Sequence, residues 1–320
     1  MNKYVGSIVQ SLLILFALLS TSAHAADTYP NRPITIVVPT PVGGGSDTIA
    51  RIFADFLQRR LGQAVVIENK PGASGAIGAS LVSRARADGY TLLFNGSEFS
   101  SLPAVRKNPN YNYENFTYLV KCFSIHPLLI GSPKFPAKSA SELIDYMKAN
   151  PGKATYGSTG TGGVIHLAIA LFENSLNVSG LHVPFMGQSP NYSALLGGHV
   201  DFSQGTFPLP DGINVLASVG TNRNPAYPGS PTLEELGIEG ATWDIWYGFL
   251  APPNLPAEIS EKLNSAIVQV LQDPIAIEKF RTLLGGAKPN VLVGNEFKTS
   301  VVTEHKRWKA LAEKYHIEIE

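Results

Sequence analysis

The sequence predicts an α/β fold in which parallel strands alternate with helices, and three observations lead to this prediction. Short apolar runs that suit buried strands alternate with stretches whose apolar residues recur at helical spacing. Two glycine-rich turns each stand between such a strand and such a helix, as in strand–helix–strand units. The chain has 320 residues, 44% hydrophobic and 16% charged, which is the composition of a globular protein with a large core.

The first strand is predicted at residues 34–38, a run of apolar and β-branched residues (ITIVV) between two prolines, which is typical of a strand buried on both faces. A helix follows, because the large apolar residues between Ile49 and Leu57 recur at helical spacing. The next elements are expected in this order: a strand at 64–67, a glycine-rich loop at 70–78, a helix ending near residue 85 and a strand at 91–94.

The middle of the chain continues the same pattern, and its last part is predicted to be helical. Strands are expected at 128–130, 154–156, 181–184, 199–202 and 215–219, and helices at 141–149 and 164–175. An apolar stripe from Ile259 to Leu271 predicts one C-terminal helix, and residues 297–315 predict a second. Prolines and glycines are spread over the loops instead of marking one linker, so two domains would be joined by more than one crossing of the chain.

Charge and cysteine content exclude several classes of function. The chain contains 25 Lys and Arg against 25 Asp and Glu, so its formal net charge is zero. It lacks the basic surplus that usually carries binding to a phosphate backbone, and we expect no nucleic-acid partner. The one cysteine, Cys122, cannot form an internal disulfide, a CxxC redox pair or a cysteine-based zinc site.

The N-terminus has the pattern of a secretory signal peptide. Lys3 supplies a positive charge, residues 8–19 are mostly apolar, and Ala23-His24-Ala25 is a small-x-small cleavage site. The alternative, a membrane anchor, is disfavoured because the apolar stretch is shorter than the ~20 residues of a spanning helix. We therefore expect export with cleavage near Ala25. An exported chain without disulfides fits a bacterial periplasm.

The two glycine-rich turns, residues 39–47 and 156–163, are the candidate binding elements. Glycine lets the backbone approach a ligand closely, and each turn leads into a helix whose first N–H groups and dipole attract an anion. Five hydroxyl side chains could add hydrogen bonds: Thr40, Ser46, Ser158, Thr159 and Thr161. Two simpler interpretations stay open: each turn could be an ordinary strand–helix connection, and Ser46 or Asp47 could merely cap the helix.

Neither turn matches a nucleotide-binding motif. Thr48 stands where a dinucleotide fingerprint has its third glycine. The span from Gly157 to Gly162 has the outer spacing of a phosphate loop, but Gly163-Val164 replaces the Lys-Ser/Thr pair of that motif. Two hydroxyl-rich turns of this kind favour a grip on a carboxylate group instead.

Short motifs occur along nearly the whole chain in the order in which one known family has them. They are YPNRPI at 29–34, GGGSD at 43–47, ENKPGA at 68–73, DGYTLL at 88–93, HVPF at 182–185, LLGGHVD at 195–201, PTLEE at 231–235 and WYGFLAP at 246–252. In these motifs the chain resembles the Bug-type extracytoplasmic solute receptors of the tripartite tricarboxylate transporter family.

The resemblance implies a two-lobed periplasmic binding protein with a type II-like fold, in which each lobe is a mixed sheet flanked by helices. The ligand then binds in the cleft between the lobes. We expect lobe 1 to comprise residues 26–126 and 246–320, and lobe 2 to comprise residues 127–245. The implied function is capture of a small carboxylate (a dicarboxylate, tricarboxylate, amino acid or aromatic acid) and its delivery to membrane transporter subunits. Such a receptor is expected to be a monomer that closes about a hinge, without cofactor or metal.

The resemblance also transfers the family's ligand contacts to positions of this chain. The carboxylate grip corresponds to Gly44, Gly45, Ser46 and Asp47 in lobe 1 and to Ser158, Thr159, Gly160 and Thr161 in lobe 2. The rest of the cleft is expected to be lined by Ser97, Phe185, Gln188, Gln204 and Trp246.

Three positions depart from the family pattern and concern the identity of the ligand. Gln204-Gly205 replaces an acidic stretch that many relatives carry. Glu98 stands where relatives tend to have small or hydroxyl residues, so it either contacts a cationic amine of the ligand or lies solvated outside the cleft. Residues 185–188 (FMGQ) lack the Lys-Gly-Gly run common in the family, which would suit a bulkier or aromatic acid.

Two other functions are weighed against a transport receptor. A periplasmic sensor would present the same ligand-bound state to a signalling partner. A periplasmic hydrolase would use Ser158 or Ser97 with His166 as its base, but no GxSxG elbow is present. His182 and His199 lack the spacing of metal ligands. We therefore expect a binding protein and not an enzyme.

Overall fold

A computed structural model describes residues 29–314, and the predicted signal peptide at residues 1–25 lies outside that range. Its strands are β1 (Ile34–Val38), β2 (Val65–Asn69), β3 (Thr91–Gly96), β4 (Thr117–Ile125), β5 (Leu128–Gly131), β6 (Thr155–Ser158), β7 (Leu181–Pro184), β8 (Phe202–Gly205), β9 (Asn214–Ser218), β10 (Ile245–Ala251) and β11 (Pro289–Val293). Its α-helices are α1 (Gly45–Leu61), α2 (Ala76–Ser83), α3 (Glu98–Val105), α4 (Ala140–Ala149), α5 (Val164–Leu176), α6 (Gln188–Gly197), α7 (Ala257–Gln272), α8 (Pro274–Leu283) and α9 (Asn295–Lys314).

The strands form two mixed sheets. The first has the order β11-β4-β10-β3-β1-β2, in which β1 is parallel to β2 and β3, while β10 is antiparallel to β3 and β4. The second has the order β7-β6-β8-β5-β9, in which β6 is parallel to β7 and β8, while β5 is antiparallel to β8 and β9. The chain passes from the first sheet to the second after β4 and returns with β10. We refer to the unit built on each sheet as lobe 1 and lobe 2.

The elements predicted from apolar runs are present, with one shift and several additions. The strand expected at 199–202 instead begins at Phe202, because Gly198 ends α6 in the left-handed conformation and the chain must first turn back toward the sheet. The sequence did not predict α3, α6, α8, β4, β10 or β11. Three of these are strands of the first sheet, and their antiparallel pairing makes that sheet mixed where strand–helix alternation alone predicted a parallel one.

The core of lobe 1 is centred on Phe53 of α1. The Phe53 ring centroid lies 4.7 Å from that of Phe280 in α8 and 5.0 Å from that of Phe249 in β10. The apolar face of α1 predicted from helical spacing therefore packs against the sheet and a C-terminal helix together. The free thiol of Cys122 is buried in the same core. Within residues 29–314, no helix is long and apolar enough to cross a membrane.

Candidate ligand-binding site

The first glycine-rich turn ends β1 and begins α1. Gly43 has a left-handed φ of +82°, which suits glycine. Gly44 is the N-cap of α1, so the N–H groups of Gly45, Ser46 and Asp47 have no carbonyl partner inside the helix. Gly45 is exposed and places no side chain over these groups. The turn therefore presents backbone donors at the positive end of the α1 dipole, which can bind an anion.

The buried side chain of Asp47 stabilises this turn through hydrogen bonds. It is 2% exposed, and its carboxylate accepts from the Gly43 N–H (2.9 Å), Arg51 Nε (2.9 Å) and Asn69 Nδ2 (2.9 Å). Burial alone would raise the pKa of Asp47, but the bonds from Arg51, Gly43 and Asn69 outweigh burial and hold this pKa below its usual range. Direct contact between Asp47 and a ligand stays a prediction, since both of its oxygens already have partners in lobe 1.

Replacing Asp47 with asparagine is expected to lower the free energy of unfolding by about 1–3 kcal/mol at pH 7. The asparagine amide carries no charge. Its NH2 group cannot accept hydrogen bonds, so some of the N–H donors that now bond to the Asp47 carboxylate would lose their acceptor. Asp55→Asn is the matched control, because Asp55 pairs with Arg59 at the same i,i+4 spacing on the same helix but is more exposed. The control should cost less than about 1 kcal/mol. Equal losses in urea titrations would contradict this role of Asp47.

The second glycine-rich turn joins β6 to α5. Gly163 is the N-cap of α5, and Gly160 adopts a left-handed φ of +134°. Thr161 is exposed at the tip of the turn, and Thr159 is partly exposed beside it. Like the first turn, this one presents a helix N-terminus together with hydroxyl side chains, and it can bind an anion in the same way.

Ser158 anchors the second turn through a different histidine from the one weighed for a hydrolase. Its buried Oγ lies 2.7 Å from His182 Nε2, whereas His166 Nδ1 accepts from the Gly162 N–H at 3.2 Å. Burial, and then the charge of His166, lower the pKa of His182 to about 4, so the His182 ring is neutral at neutral pH. No carboxylate between residues 29 and 314 hydrogen-bonds to His182, so the Ser158–His182 pair has no orienting acid in that part of the chain.

The two turns lie at the boundary between the lobes, where each touches the opposite lobe. Ser74 Oγ, in the loop before α2, donates to the Thr161 carbonyl at 3.2 Å. Pro41 of the first turn packs against Gly187 of lobe 2, with Pro41 Cγ 3.4 Å from where a β-carbon on Gly187 would lie. Helix α3 of lobe 1 also lies against α5 of lobe 2. One turn of each lobe therefore contacts the opposite lobe.

Tyr247 is a site residue that sequence reasoning missed. It lies on β10, and its hydroxyl oxygen is 3.9 Å from where a β-carbon on Gly45 would lie. Its ring stacks on Phe94 with a centroid separation of 6.0 Å, and the Ser46 side chain contacts its hydroxyl. The WYGFLAP motif at 246–252 was the only signal in the sequence, because the strand that carries Tyr247 reaches the first turn from far along the chain.

Three predicted lining residues of lobe 2 lie together beside the second turn. The Phe185 N–H donates to the Ser158 carbonyl at 3.0 Å, and Gln188 Nε2 donates to the Gln204 carbonyl at 3.1 Å. Gln204 is 1% exposed, and its Oε1 accepts from Trp243 Nε1 at 3.0 Å. The remaining amide group, Gln204 Nε2, is buried and has no hydrogen-bond partner among the described residues.

Ser97 and Trp246 are held in the packing behind the turns. The Trp246 N–H donates to Ser97 Oγ at 3.1 Å, and Trp246 Nε1 donates to Glu304 Oε2 of α9. The Trp246 ring is buried between α3 and α9 in contact with Phe99 and Phe297. The polar atoms of both side chains therefore already have partners inside the protein, and ligand contact by either one stays a prediction.

Two cavities lie away from the turns. A polar one of about 250 Å³ lies near the point where the chain returns to lobe 1, and it is lined by Trp243, Trp246, Trp308 and Glu304 among others. An open apolar groove of about 900 Å³ lies between α8 and the Phe207-Pro208 segment. Neither includes a residue of the two glycine-rich turns.

Glu304 is expected to make stability depend on pH near neutrality. Burial raises the pKa of Glu304 to about 7, although hydrogen bonds from Trp246, Ser100, Trp308 and Ser97 oppose this rise. A carboxyl group whose pKa rises on folding favours the native state at low pH, and this contribution is lost as the pH rises through its native pKa. The contribution of Glu304 to the free energy of unfolding should therefore fall as the pH rises from about 5 to about 8.

Glu304→Gln is expected to become more stable relative to the unmodified chain by about 2 kcal/mol as the pH rises from about 5.5 to 8. The neutral amide keeps an acceptor for Trp246 but has no proton to lose. Urea titrations at the two pH values measure this difference. The exposed Glu261→Gln is the control and should show no such trend. A constant difference between Glu304→Gln and the unmodified chain would contradict the raised pKa.

Glu98 begins α3 and is partly exposed. Burial raises the pKa of Glu98 above its usual range. Burial, and then the charge of Glu98, raise the pKa of Tyr247, whose hydroxyl lies beside the first turn. Both alternatives for Glu98, contact with a ligand amine and a solvated carboxylate outside the cleft, stay predictions.

Comparison with known proteins gives one family model that matches residues 49–317, and its description is "Tripartite tricarboxylate transporter family receptor". The match covers most of the chain. It includes the second glycine-rich turn and the segments that carry Tyr247 and Glu304.

Similar solved structures support the same fold. The structure of the periplasmic binding protein BugD is 32% identical, with a TM-score of 0.85 over 91% of this chain and 100% of that one. A protein of R. palustris, Rpa4515, solved with adipate, is 29% identical, with a TM-score of 0.85 over 91% and 99% of the two chains. MatC from Rhodopseudomonas palustris, with bound malate, is 28% identical, with a TM-score of 0.81 over 88% and 99%. These likenesses confirm the predicted two-lobed fold class.

Proposed function

Because the chain belongs to the tripartite tricarboxylate transporter receptor family, with Bug-type relatives, we propose that it is a periplasmic solute-binding protein that captures a small carboxylate and delivers it to membrane transporter subunits. The observation that carries this proposal is that each lobe has a glycine-rich turn leading into a helix N-terminus, and that each of these turns contacts the opposite lobe. The Ser74–Thr161 hydrogen bond and the Pro41–Gly187 contact bring one turn of each lobe to the boundary between the lobes.

The proposed grip uses backbone amides instead of basic side chains. In lobe 1 it comprises Gly44, Gly45, Ser46 and Asp47, and in lobe 2 Ser158, Thr159, Gly160 and Thr161. The buried Asp47 and the Ser158–His182 contact support it by fixing the shape of the two turns. This arrangement explains how a chain with no net charge could hold an anion.

Magnitudes show why closure of the lobes belongs to the mechanism. Micromolar affinity corresponds to about 8 kcal/mol. A helix N-terminus contributes about 0.3–1 kcal/mol at an exposed site and up to ~2 kcal/mol when partly buried. Several charge-assisted hydrogen bonds, at about 1.5–3 kcal/mol each, must supply the rest. Such bonds reach this strength only where water is excluded, so the ligand binds as the lobes close over it.

The relatives support the ligand class, since their structures contain adipate and malate. We propose that residues 26–126 with 246–320, and residues 127–245, move as two lobes of a monomer. The exported chain, cleaved near Ala25, then works in the periplasm and does not convert its ligand.

A thermal-shift screen tests the proposal. The mature chain is heated with dicarboxylates including adipate and malate, with tricarboxylates, with acidic amino acids and with aromatic acids. At least one carboxylate should raise the melting temperature, because it binds only the folded state. Incubation followed by mass analysis should recover that carboxylate unchanged. A rise with a phosphate ester or a sugar and with no carboxylate would overturn the proposal.

A further inference from the structure

Two histidine rings stack beside the second glycine-rich turn. The ring centroids of His166 in α5 and His182 in β7 are 3.9 Å apart, and the ring planes differ by 7°. His166 Nδ1 accepts from the Gly162 N–H at 3.2 Å, and His182 Nε2 lies 2.7 Å from Ser158 Oγ. The pair therefore contacts both ends of the segment from Ser158 to Gly162.

The hydrogen bond from Gly162 determines where His166 carries its proton. A backbone amide can only donate, so Nδ1 must present its lone pair and the ring hydrogen must be on Nε2. His166 is the third residue of α5 and reaches back past the N-cap Gly163, much as a glutamate or glutamine does in a capping box. An imidazole with a proton on both nitrogens cannot accept this bond.

The Gly162 amide belongs to the part of the turn that meets lobe 1. Ser74 Oγ donates to the Thr161 carbonyl at 3.2 Å, and a β-carbon on Gly160 would lie 3.2 Å from the same Oγ. Gly160 and Gly162 both have a left-handed φ, which makes this segment intrinsically free to change conformation. The bond to His166 therefore ties a flexible, boundary-facing segment to helix α5.

The groups around the two rings favour the neutral form of His166. Tyr156 of β6 stacks on both rings, and the nearest acidic residues on packed helices are Glu173 of α5 and Glu98 of α3. Between residues 29 and 314, neither glutamate forms an ion pair with either histidine. Burial lowers the pKa of His166, and the positive end of the α5 dipole also opposes a charge there. The ring therefore gains a proton only below about pH 6.5.

We propose that neutral His166 is a positioning residue that holds the second turn through the Gly162 amide, and that a proton bound at Nδ1 breaks this bond and weakens ligand binding. His182 supports the His166 ring by stacking on it. The inference rests on the proposed function, because it concerns the grip of the second turn on a carboxylate. It adds a residue that acts through the turn and without contact to the ligand.

The variant His166→Asn tests the proton, because the asparagine oxygen can accept from Gly162 but does not titrate. Calorimetry uses the carboxylate that most raises the melting temperature of the unmodified mature chain. From about pH 7.5 to about pH 5, the Kd of the unmodified chain should rise at least about threefold more than that of His166→Asn. Titration of the ligand itself cancels in this ratio. An unchanged ratio, or tighter binding by the unmodified chain in acid, would overturn the inference.

The variant His166→Phe tests the acceptor, because phenylalanine keeps a stacked ring and cannot accept a hydrogen bond. It should bind the same carboxylate at least about threefold more weakly at pH 7.5, which is the effect of one lost hydrogen bond. It should show no further loss in acid beyond that of His166→Asn. His199→Asn is the matched control, because His199 is an exposed histidine of lobe 2, and it should follow the unmodified chain at both pH values. Full affinity in His166→Phe would show that the turn does not need this acceptor.

Proton release gives a measurement on the unmodified chain. Near pH 5, calorimetry in two buffers of different ionisation enthalpy counts the protons released when the carboxylate binds. The unmodified chain should release more protons than His166→Asn, because binding favours the neutral ring. Equal counts would contradict the inference and leave the proposed function intact. If the unmodified chain binds no carboxylate even at pH 7.5, the proposed function itself fails.

Discussion

Replacing Gly45 with valine is expected to weaken ligand binding at least about a hundredfold while the protein keeps its fold. The folded chain has room for the new β-carbon, because its nearest neighbour would be the Tyr247 hydroxyl at 3.9 Å. Gly45 does not have a left-handed φ, so valine causes no backbone strain there. A ligand carboxylate bound to the first amides of α1 would meet the valine methyl groups. Displacing it costs one or two charge-assisted hydrogen bonds, which corresponds to the expected loss.

Calorimetry with the carboxylate that most raises the melting temperature of the unmodified chain measures this loss. Gly229→Val is the matched control, since Gly229 is exposed, has no heavy atom within 4 Å of its β-carbon position and is not part of either turn. Both variants should melt within a few degrees of the unmodified chain. Unchanged affinity in Gly45→Val would show that the ligand does not approach the first turn.

The sequence predicted the parallel part of each sheet well, because local patterns determine it. Residues 34–38 are apolar except for Thr35, and β1 is largely buried and pairs with β2 and β3. The apolar face of α1 from Ile49 to Leu57 could be predicted because helical spacing is a local property of the sequence and does not depend on which segment the helix packs against. The glycine-rich turns were visible for the same reason, since a strand, a turn and a helix follow each other within about fifteen residues.

Elements whose burial depends on distant segments were not predictable in the same way. Strand β10 is buried along its whole length, so it lacks an alternating pattern, and Gly248 in its middle is a residue that disfavours strands. Its two partners, β3 and β4, lie more than a hundred residues earlier in the chain. Helix α8, in contrast, has a local sequence signal in Asp273-Pro274, where Asp273 caps the helix by accepting from the Ile275 N–H.

The candidate site likewise has a part that could be predicted from the sequence and a part that could not. Its backbone donors belong to local turns and could be predicted, whereas the side chains that shape them come from elsewhere. Tyr247 reaches the first turn from β10, and His182 reaches Ser158 from the neighbouring strand β7. The hydrolase alternative paired Ser158 with His166, the nearer of the two histidines along the sequence. The pairing of β6 with β7 places His182 there instead, because Tyr156 and His182 are opposite residues in that ladder.

Replacing Phe53 with alanine is expected to lower the free energy of unfolding by about 3–5 kcal/mol. Phe53 is fully buried, and its ring contacts the rings of Phe94, Phe123, Phe249 and Phe280. These rings belong to β3, β4 and β10, which are consecutive in the first sheet, and to helix α8. A cavity among them cannot be closed by a single side chain. Urea titration at pH 7 measures the loss.

Phe53→Leu is the matched control, because leucine keeps most of the buried volume and should cost less than about 1.5 kcal/mol. The comparison separates the cavity from the loss of aromatic contacts. The same core holds β10, and β10 holds Tyr247 beside the first turn, so Phe53→Ala should also weaken ligand binding before the protein unfolds. Full affinity in a chain destabilised by several kcal/mol would show that the position of Tyr247 does not depend on this core.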